Sequence, residues 1–110
     1  MKKDDTVYIR HIRDASQKIE RYTRGVSPAA FRKNDLLIDA VVRELSVIGE
    51  AAAHVSETFR QAQPTLPFYE MIGMRNRIIH EYFNVDVDVV WQTVRNDLPA
   101  LKKALSKITV

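Results

Sequence analysis

The chain has 110 residues, of which 45% are hydrophobic, and it contains 3 Gly, 4 Pro and no Cys. This size and composition predict one compact domain over residues 1–110 and exclude a disordered chain. The lack of cysteine excludes disulfides, a thiol nucleophile and a Cys-based zinc site. The formal net charge of +3 permits binding to nucleic acid or to an acidic protein and requires neither.

The sequence also bears on where the protein is located and on whether it binds a metal ion. No apolar run reaches the roughly 18 residues that span a membrane, and the first residues lack the hydrophobic stretch of a signal peptide. The histidines, His11, His54 and His80, form no HxxxH or HExxH pair, so a His-based metal site is not expected. We expect a cytoplasmic protein that needs neither a metal ion nor a cofactor.

The first predicted helix begins after Asp4 or Asp5 and ends at Gly25. Its apolar residues recur every three or four positions, as on one face of a helix. A second face carries a largely basic stripe: Arg10, Arg13, Gln17, Glu20 and Arg24. This stripe is either a track for a nucleic-acid backbone or an ordinary solvated helix face, and we favour the second interpretation.

A short capped turn with Pro28 at its first helical position is predicted next. Asn34 or Asp35 then caps a long second helix, which runs through residues 37–59 and is ended by Pro64. Small residues around Gly49 allow a neighbouring helix to approach closely.

The third helix is predicted over residues 67–83 and is ended by Asn84. Asp86 and Asp88 then open a new apolar period, which predicts a fourth helix that Pro99 kinks or breaks. Together these elements predict an all-α protein, an antiparallel four-helix bundle with a short extra helical turn.

The segment from Arg75 to Tyr82 places polar side chains in an otherwise apolar helical pattern. Asn76 and His80 are four residues apart and are neighbours on one helix face, so the amide can fix the imidazole tautomer. Arg75 and His80 are five residues apart, about 140° around an ideal helix. Either the arginine side chain swings round, or a second copy of the helix completes the site at a dimer interface.

These residue types suit cleavage of a phosphodiester. Arginine holds phosphate in a forked grip, and His80 in the last helical turn can act as a general acid or base. In the simpler alternative His80 is structural and Arg75 pairs with Glu44 or Glu50, and spacing alone favours that alternative.

The pattern Arg75-Asn76-x-x-x-His80-x-Tyr82 resembles the Rx4HxY signature of HepT-like toxins, a branch of the HEPN superfamily. The resemblance extends over essentially the whole chain, through residues 8–12, 19–22, 48–51, 64–73, 85–91 and 97–101. In one departure, Phe68 stands where the family has Trp, and we expect the aromatic packing to be kept.

The resemblance implies a HEPN-like helical homodimer acting as a metal-independent endoribonuclease, the toxin of a type VII-like toxin–antitoxin system. Arg75 and His80 would be catalytic, with Asn76 supporting them. The partner would be an MNT-type nucleotidyltransferase antitoxin that transfers AMP to Tyr82. The competing hypotheses are a catalytically inactive nucleotide-binding or adaptor subunit of such a complex and, less favoured, a purely structural helical dimer.

Overall fold

The structure is a computed structural model that describes residues 4–78 and 84–108. The described residues form helices that are joined by short connections. In chain order they are α1 (Asp5–Thr23), α2 (Pro28–Arg32), α3 (Asp35–His54), α4 (Glu57–Ala62), α5 (Phe68–Ile78), α6 (Val87–Gln92), a π-helical segment (Thr93–Asp97) and α7 (Leu98–Leu105). The predicted all-α bundle is confirmed, and α2 is the predicted extra turn.

Polar side chains cap the helix starts that the sequence predicted. The side chains of Asp4, Ser27, Asn34 and Asp86 each accept a hydrogen bond from a backbone N–H two or three residues further on, at 3.0–3.2 Å. Each cap satisfies an N–H group that the helix itself leaves without a partner.

The core lies where α3 packs between α1 and α5. Its fully buried members include Ile9, Ile12, Ile19, Leu45, Ile48, Met71 and Ile78. Gly49 lies at the contact of α3 with α5, where a Cβ atom would stand 2.9 Å from the carbonyl oxygen of Met71. The close approach predicted from the small residues of the second helix is therefore present.

The predicted second helix is too long. It ends at His54, and Ser56 begins α4 by accepting a hydrogen bond from the N–H of Phe59 at 3.2 Å. The backbone N–H and the hydroxyl of Ser56 also donate to the Asp5 carboxylate, at 2.8 and 2.7 Å. This contact with the first residue of α1 favours the break, and local periodicity carries no sign of it.

Pro99 neither breaks the last helix nor leaves it regular. The helical backbone continues from Val87 to Leu105 through the π-helical segment, in which the N–H of Leu98 donates to the carbonyl of Thr93, five residues earlier. Proline lacks an N–H group and its ring clashes with the carbonyl four residues before it. A widened turn directly before Pro99 accommodates both effects.

The third helix is described as far as Ile78, and the remaining predicted part, residues 79–83, lies outside the described residues. Beyond that gap the N–H of Asp86 donates to the carbonyl of Ile78 at 2.7 Å. This hydrogen bond fixes the start of α6 next to the end of α5.

Candidate active site

Two of the four predicted site residues, Arg75 and Asn76, lie near the end of α5. Both are exposed, whereas Met74 and Ile78 of the same helix are buried in the core. The apolar face therefore anchors α5 against α3 and leaves the arginine and the amide at the surface. His80 and Tyr82 lie outside the described residues.

The alternative in which Arg75 pairs with Glu44 is wrong. Glu44 is only 4% exposed, and its carboxylate accepts from the guanidinium of Arg43 at 2.5 Å. Glu50 is exposed, and it forms no ion pair with any residue that the structure describes. Within residues 4–78 and 84–108, the guanidinium of Arg75 likewise has neither a hydrogen bond nor an ion pair.

The second arginine of the segment is engaged differently. Arg77 donates to the carboxylate of Asp97, in the π-helical segment, at 3.4 Å. Residues two apart on a helix point in nearly opposite directions, so Arg75 faces away from this contact. Arg77 therefore links α5 to the last helix, while no described residue occupies the guanidinium of Arg75.

This arrangement suits an anionic ligand. An exposed guanidinium offers N–H donors in a fork that matches two phosphate oxygens, and the adjacent Asn76 amide adds a donor and an acceptor. The predicted hydrogen bond from Asn76 to His80 and the distance between Arg75 and His80 involve the undescribed segment, so both stay predictions.

The basic stripe of α1 is largely engaged in intramolecular contacts. Arg13 donates to the carbonyls of Leu105 and Ile108, both at 2.9 Å. Glu20 pairs with Arg24 at 3.5 Å and also with Lys102 of α7. These contacts favour the interpretation of the stripe as an ordinary helix face.

The described residues offer neither a metal-binding cluster nor a membrane-spanning helix. Across the described ranges, no cluster of three or more His, Cys, Asp or Glu side chains is arranged to hold a metal ion. In the same part of the chain, every helix is too short or too polar to span a lipid bilayer.

Comparison with known proteins identifies the family. The family model described as "Ribonuclease HepT-like" matches residues 12–108. The "Probable ribonuclease HepT" of Thermococcus cleftensis is 38% identical over 108 residues, which is 98% of each chain. A "Putative RNase" of Caldanaerobacter subterraneus is 35% identical over 92% of this chain and 90% of its own. A "Putative RNase" of Methanocaldococcus jannaschii is 33% identical over 93% of this chain and 94% of its own. No solved structure matches the chain significantly. The chain belongs to the HepT-like ribonuclease family.

Proposed function

We propose that this protein is a metal-independent endoribonuclease in which Arg75 and His80 cleave RNA and Asn76 supports them. The observation that carries the proposal is the exposed guanidinium of Arg75, which has no carboxylate partner among the described residues. Arg77, two residues further on, is instead paired with Asp97. Membership of the HepT-like family supports RNA as the substrate.

The proposed chemistry uses the ribose 2′-hydroxyl. An imidazole accepts its proton while the 2′-oxygen attacks phosphorus, and the bond from phosphorus to the 5′-oxygen breaks. The leaving 5′-oxygen receives a proton, and the product strand ends in a cyclic phosphate. Arg75 donates to the non-bridging oxygens as their charge rises. One His80 per subunit supplies one of the two proton transfers, and the partner's His80 or a water molecule supplies the other.

We infer a homodimer from the spacing of Arg75 and His80, in preference to a single copy whose arginine side chain swings round. Because Arg75 and His80 are about 140° apart on an ideal helix, a site shared between two copies brings both types of side chain to one phosphate. We propose that the whole chain acts as one domain and that two copies form the active unit in the cytoplasm.

Regulation by modification completes the proposal. The motif tyrosine, Tyr82, is two residues from His80, and an MNT-type nucleotidyltransferase antitoxin would transfer AMP to its hydroxyl. A phosphodiester-linked nucleotide there would place negative charge beside the phosphate site and repel RNA. The protein is then the toxin of a toxin–antitoxin pair.

The test is cleavage of total and transfer RNA in EDTA by the purified protein and by His80→Ala. Intact mass is measured first, to establish that Tyr82 is unmodified. We expect cleavage by the unmodified protein and none by the variant. Cleavage that requires a divalent ion would contradict metal independence, and equal cleavage by both proteins would remove His80 from the site. An unmodified wild type that cleaves no RNA would favour the adaptor hypothesis.

A further inference from the structure

A surface groove lies between α1 and α3, lined by residues that the proposed cleavage does not use. Its volume is about 440 Å³, and Tyr8 and His11 of α1 line one side. The other side belongs to α3, with Arg43, Glu50 and His54. The sequence reveals no such cluster, because Tyr8 and His54 are far apart along the chain and meet only when α1 packs on α3.

The groove contains a stack of aromatic rings. The rings of Tyr8 and His54 lie 5.3 Å apart between centroids with an interplanar angle of 27°, and His11 meets Tyr8 edge-on at 6.2 Å. Tyr8 is half-buried, whereas both histidines are exposed. Because one face of the His54 imidazole packs on Tyr8 while the residue is exposed, a further flat ring would stack on the opposite face.

The orientation of His54 is fixed by its own helix. Its Nδ1 lies 2.8 Å from the carbonyl oxygen of Glu50. A carbonyl oxygen only accepts, so Nδ1 carries a hydrogen and donates it. This hydrogen bond holds the imidazole over Tyr8 before any ligand arrives, which lowers the entropy that binding must remove.

The charged side chains at the groove favour a nucleobase inside it and a phosphate group at its edge. Arg43 is the arginine at the groove and its side chain is 70% exposed, so it can meet a phosphate oxygen although it also holds Glu44. The Glu50 carboxylate disfavours a phosphate inside the groove but accepts hydrogen bonds from the N–H groups that every nucleobase carries. Aromatic stacking beside a cation is how proteins hold single-stranded RNA.

We propose that this groove, defined by Tyr8, His11, Arg43, Glu50 and His54, binds an unstacked nucleobase of the single-stranded RNA substrate. It is a substrate-binding subsite separate from the residues that cleave, and the inference rests on the proposed ribonuclease function. The groove positions the strand by stacking, so it accepts any base and contributes to affinity rather than to the chemical step.

The test measures the affinity of a fluorescently labelled oligoadenylate by anisotropy, in the His80→Ala protein so that the strand stays intact. We expect His54→Ala to weaken binding about fivefold to a hundredfold. His54→Phe keeps a flat ring but loses the hydrogen bond to Glu50, and this variant should bind the oligoadenylate nearly as well as the protein that retains His54. Tyr69→Ala removes a tyrosine that is 89% exposed and lies outside the groove, so it is the matched control.

Two further readouts distinguish stacking from other roles. A duplex keeps its bases stacked on one another, so duplex RNA should bind with equal affinity to the His80→Ala protein with and without the His54→Ala substitution. The slope of log affinity against log salt should also be unchanged, since stacking releases no counterions. With His80 present, His54→Ala should raise KM for cleavage and leave kcat unchanged.

Several outcomes would overturn the subsite. These are an unchanged affinity in His54→Ala, an equal loss in His54→Phe, or a shallower salt slope, which would indicate a charge contact. A change of oligomeric state in His54→Ala, measured by light scattering, would assign the groove to a second copy of the chain. If wild type cleaves RNA but His54→Ala binds the oligoadenylate with unchanged affinity, only the proposed subsite is wrong. If wild type neither cleaves nor binds RNA, the proposed function fails with it.

Discussion

The two exposed arginines of the motif segment differ in their partners. Arg77 is tied to Asp97 at 3.4 Å, whereas Arg75 has no ion pair within the described residues. Sequence alone left open whether Arg75 is structural or catalytic. The buried Glu44 removes the main structural explanation because its carboxylate is already held by Arg43. The proposed phosphate contact therefore rests on an exposed guanidinium that has no carboxylate partner in the described part of the chain.

Replacement of Arg75 should separate catalysis from folding. We expect Arg75→Ala to lower kcat for RNA cleavage about a hundredfold to a thousandfold, which is the usual loss when one donor to a developing anion is removed. Arg75→Lys should recover part of that loss, because lysine restores the charge but not the forked pair of donors. Single-turnover cleavage with saturating protein measures the effect on the chemical step.

The matched control for this prediction is Arg77→Ala. It removes an exposed ion pair that contributes between zero and about 1 kcal/mol to stability, and kcat should be close to wild type. Equal losses in the two variants would show that cleavage depends on the general charge of the helix end, and the specific role of Arg75 would then be withdrawn.

At the scale of helices, the contact between α3 and α5 determines where the motif sits. Gly49 allows α5 to approach so closely that a Cβ atom would be 2.9 Å from the Met71 carbonyl oxygen. A backbone oxygen cannot move aside as a flexible side chain can, so the two helices would have to separate. Since the same helix carries Arg75 at its exposed end, this packing also sets the position of the proposed site.

Two glycine substitutions test this packing. Gly49→Ala should lower the free energy of unfolding by about 1–3 kcal/mol, as overpacking of a close contact does. Gly73→Ala is in α5 and places its Cβ where no atom lies within 4 Å. Because alanine is the better helix former, this variant should be about 0.5–1 kcal/mol more stable than wild type. Thermal unfolding followed by circular dichroism measures both, and a stabilising Gly49→Ala would contradict the close approach.

The elements also show what local sequence can predict and where it fails. Caps such as Asn34 were predictable because a cap acts within a few residues of itself. The break after His54 was missed, since it involves the contact between Ser56 and Asp5 across 51 positions. Pro99 was correctly identified as a disturbance, but the turn geometry that accommodates it depends on packing. The stacking of Tyr8 on His54 was likewise invisible before the helices were packed, because these residues belong to different helices.

At the scale of the whole molecule, α1 is hydrogen-bonded to the end of α7 and the residues that follow it. Arg13, half-buried on the basic stripe, donates from one nitrogen to the carbonyls of Leu105 and Ile108. Leu105 is the last residue of α7, and its carbonyl accepts from the N–H of Ile108 at 3.1 Å as well as from Arg13. A cation at this end also interacts favourably with the helix dipole. The N-terminal helix thus caps α7 and closes the bundle.

Removal of this cap should loosen the end of the chain without disturbing the motif. We expect Arg13→Ala to lower the free energy of unfolding by about 1.5–3 kcal/mol, the range for hydrogen bonds from a charged group. Arg10→Ala, an exposed arginine on the same helix, should change it by less than about 0.5 kcal/mol. Urea unfolding gives the two free energies, and native-state hydrogen exchange locates the change. Amides near Ser106 and Ile108 should lose more protection than the urea value accounts for, while those of α5 should lose no more than that value. Equal effects of the two substitutions on the free energy of unfolding, or a uniform loss of protection along the whole chain, would show that Arg13 acts through general charge or global stability rather than as a cap.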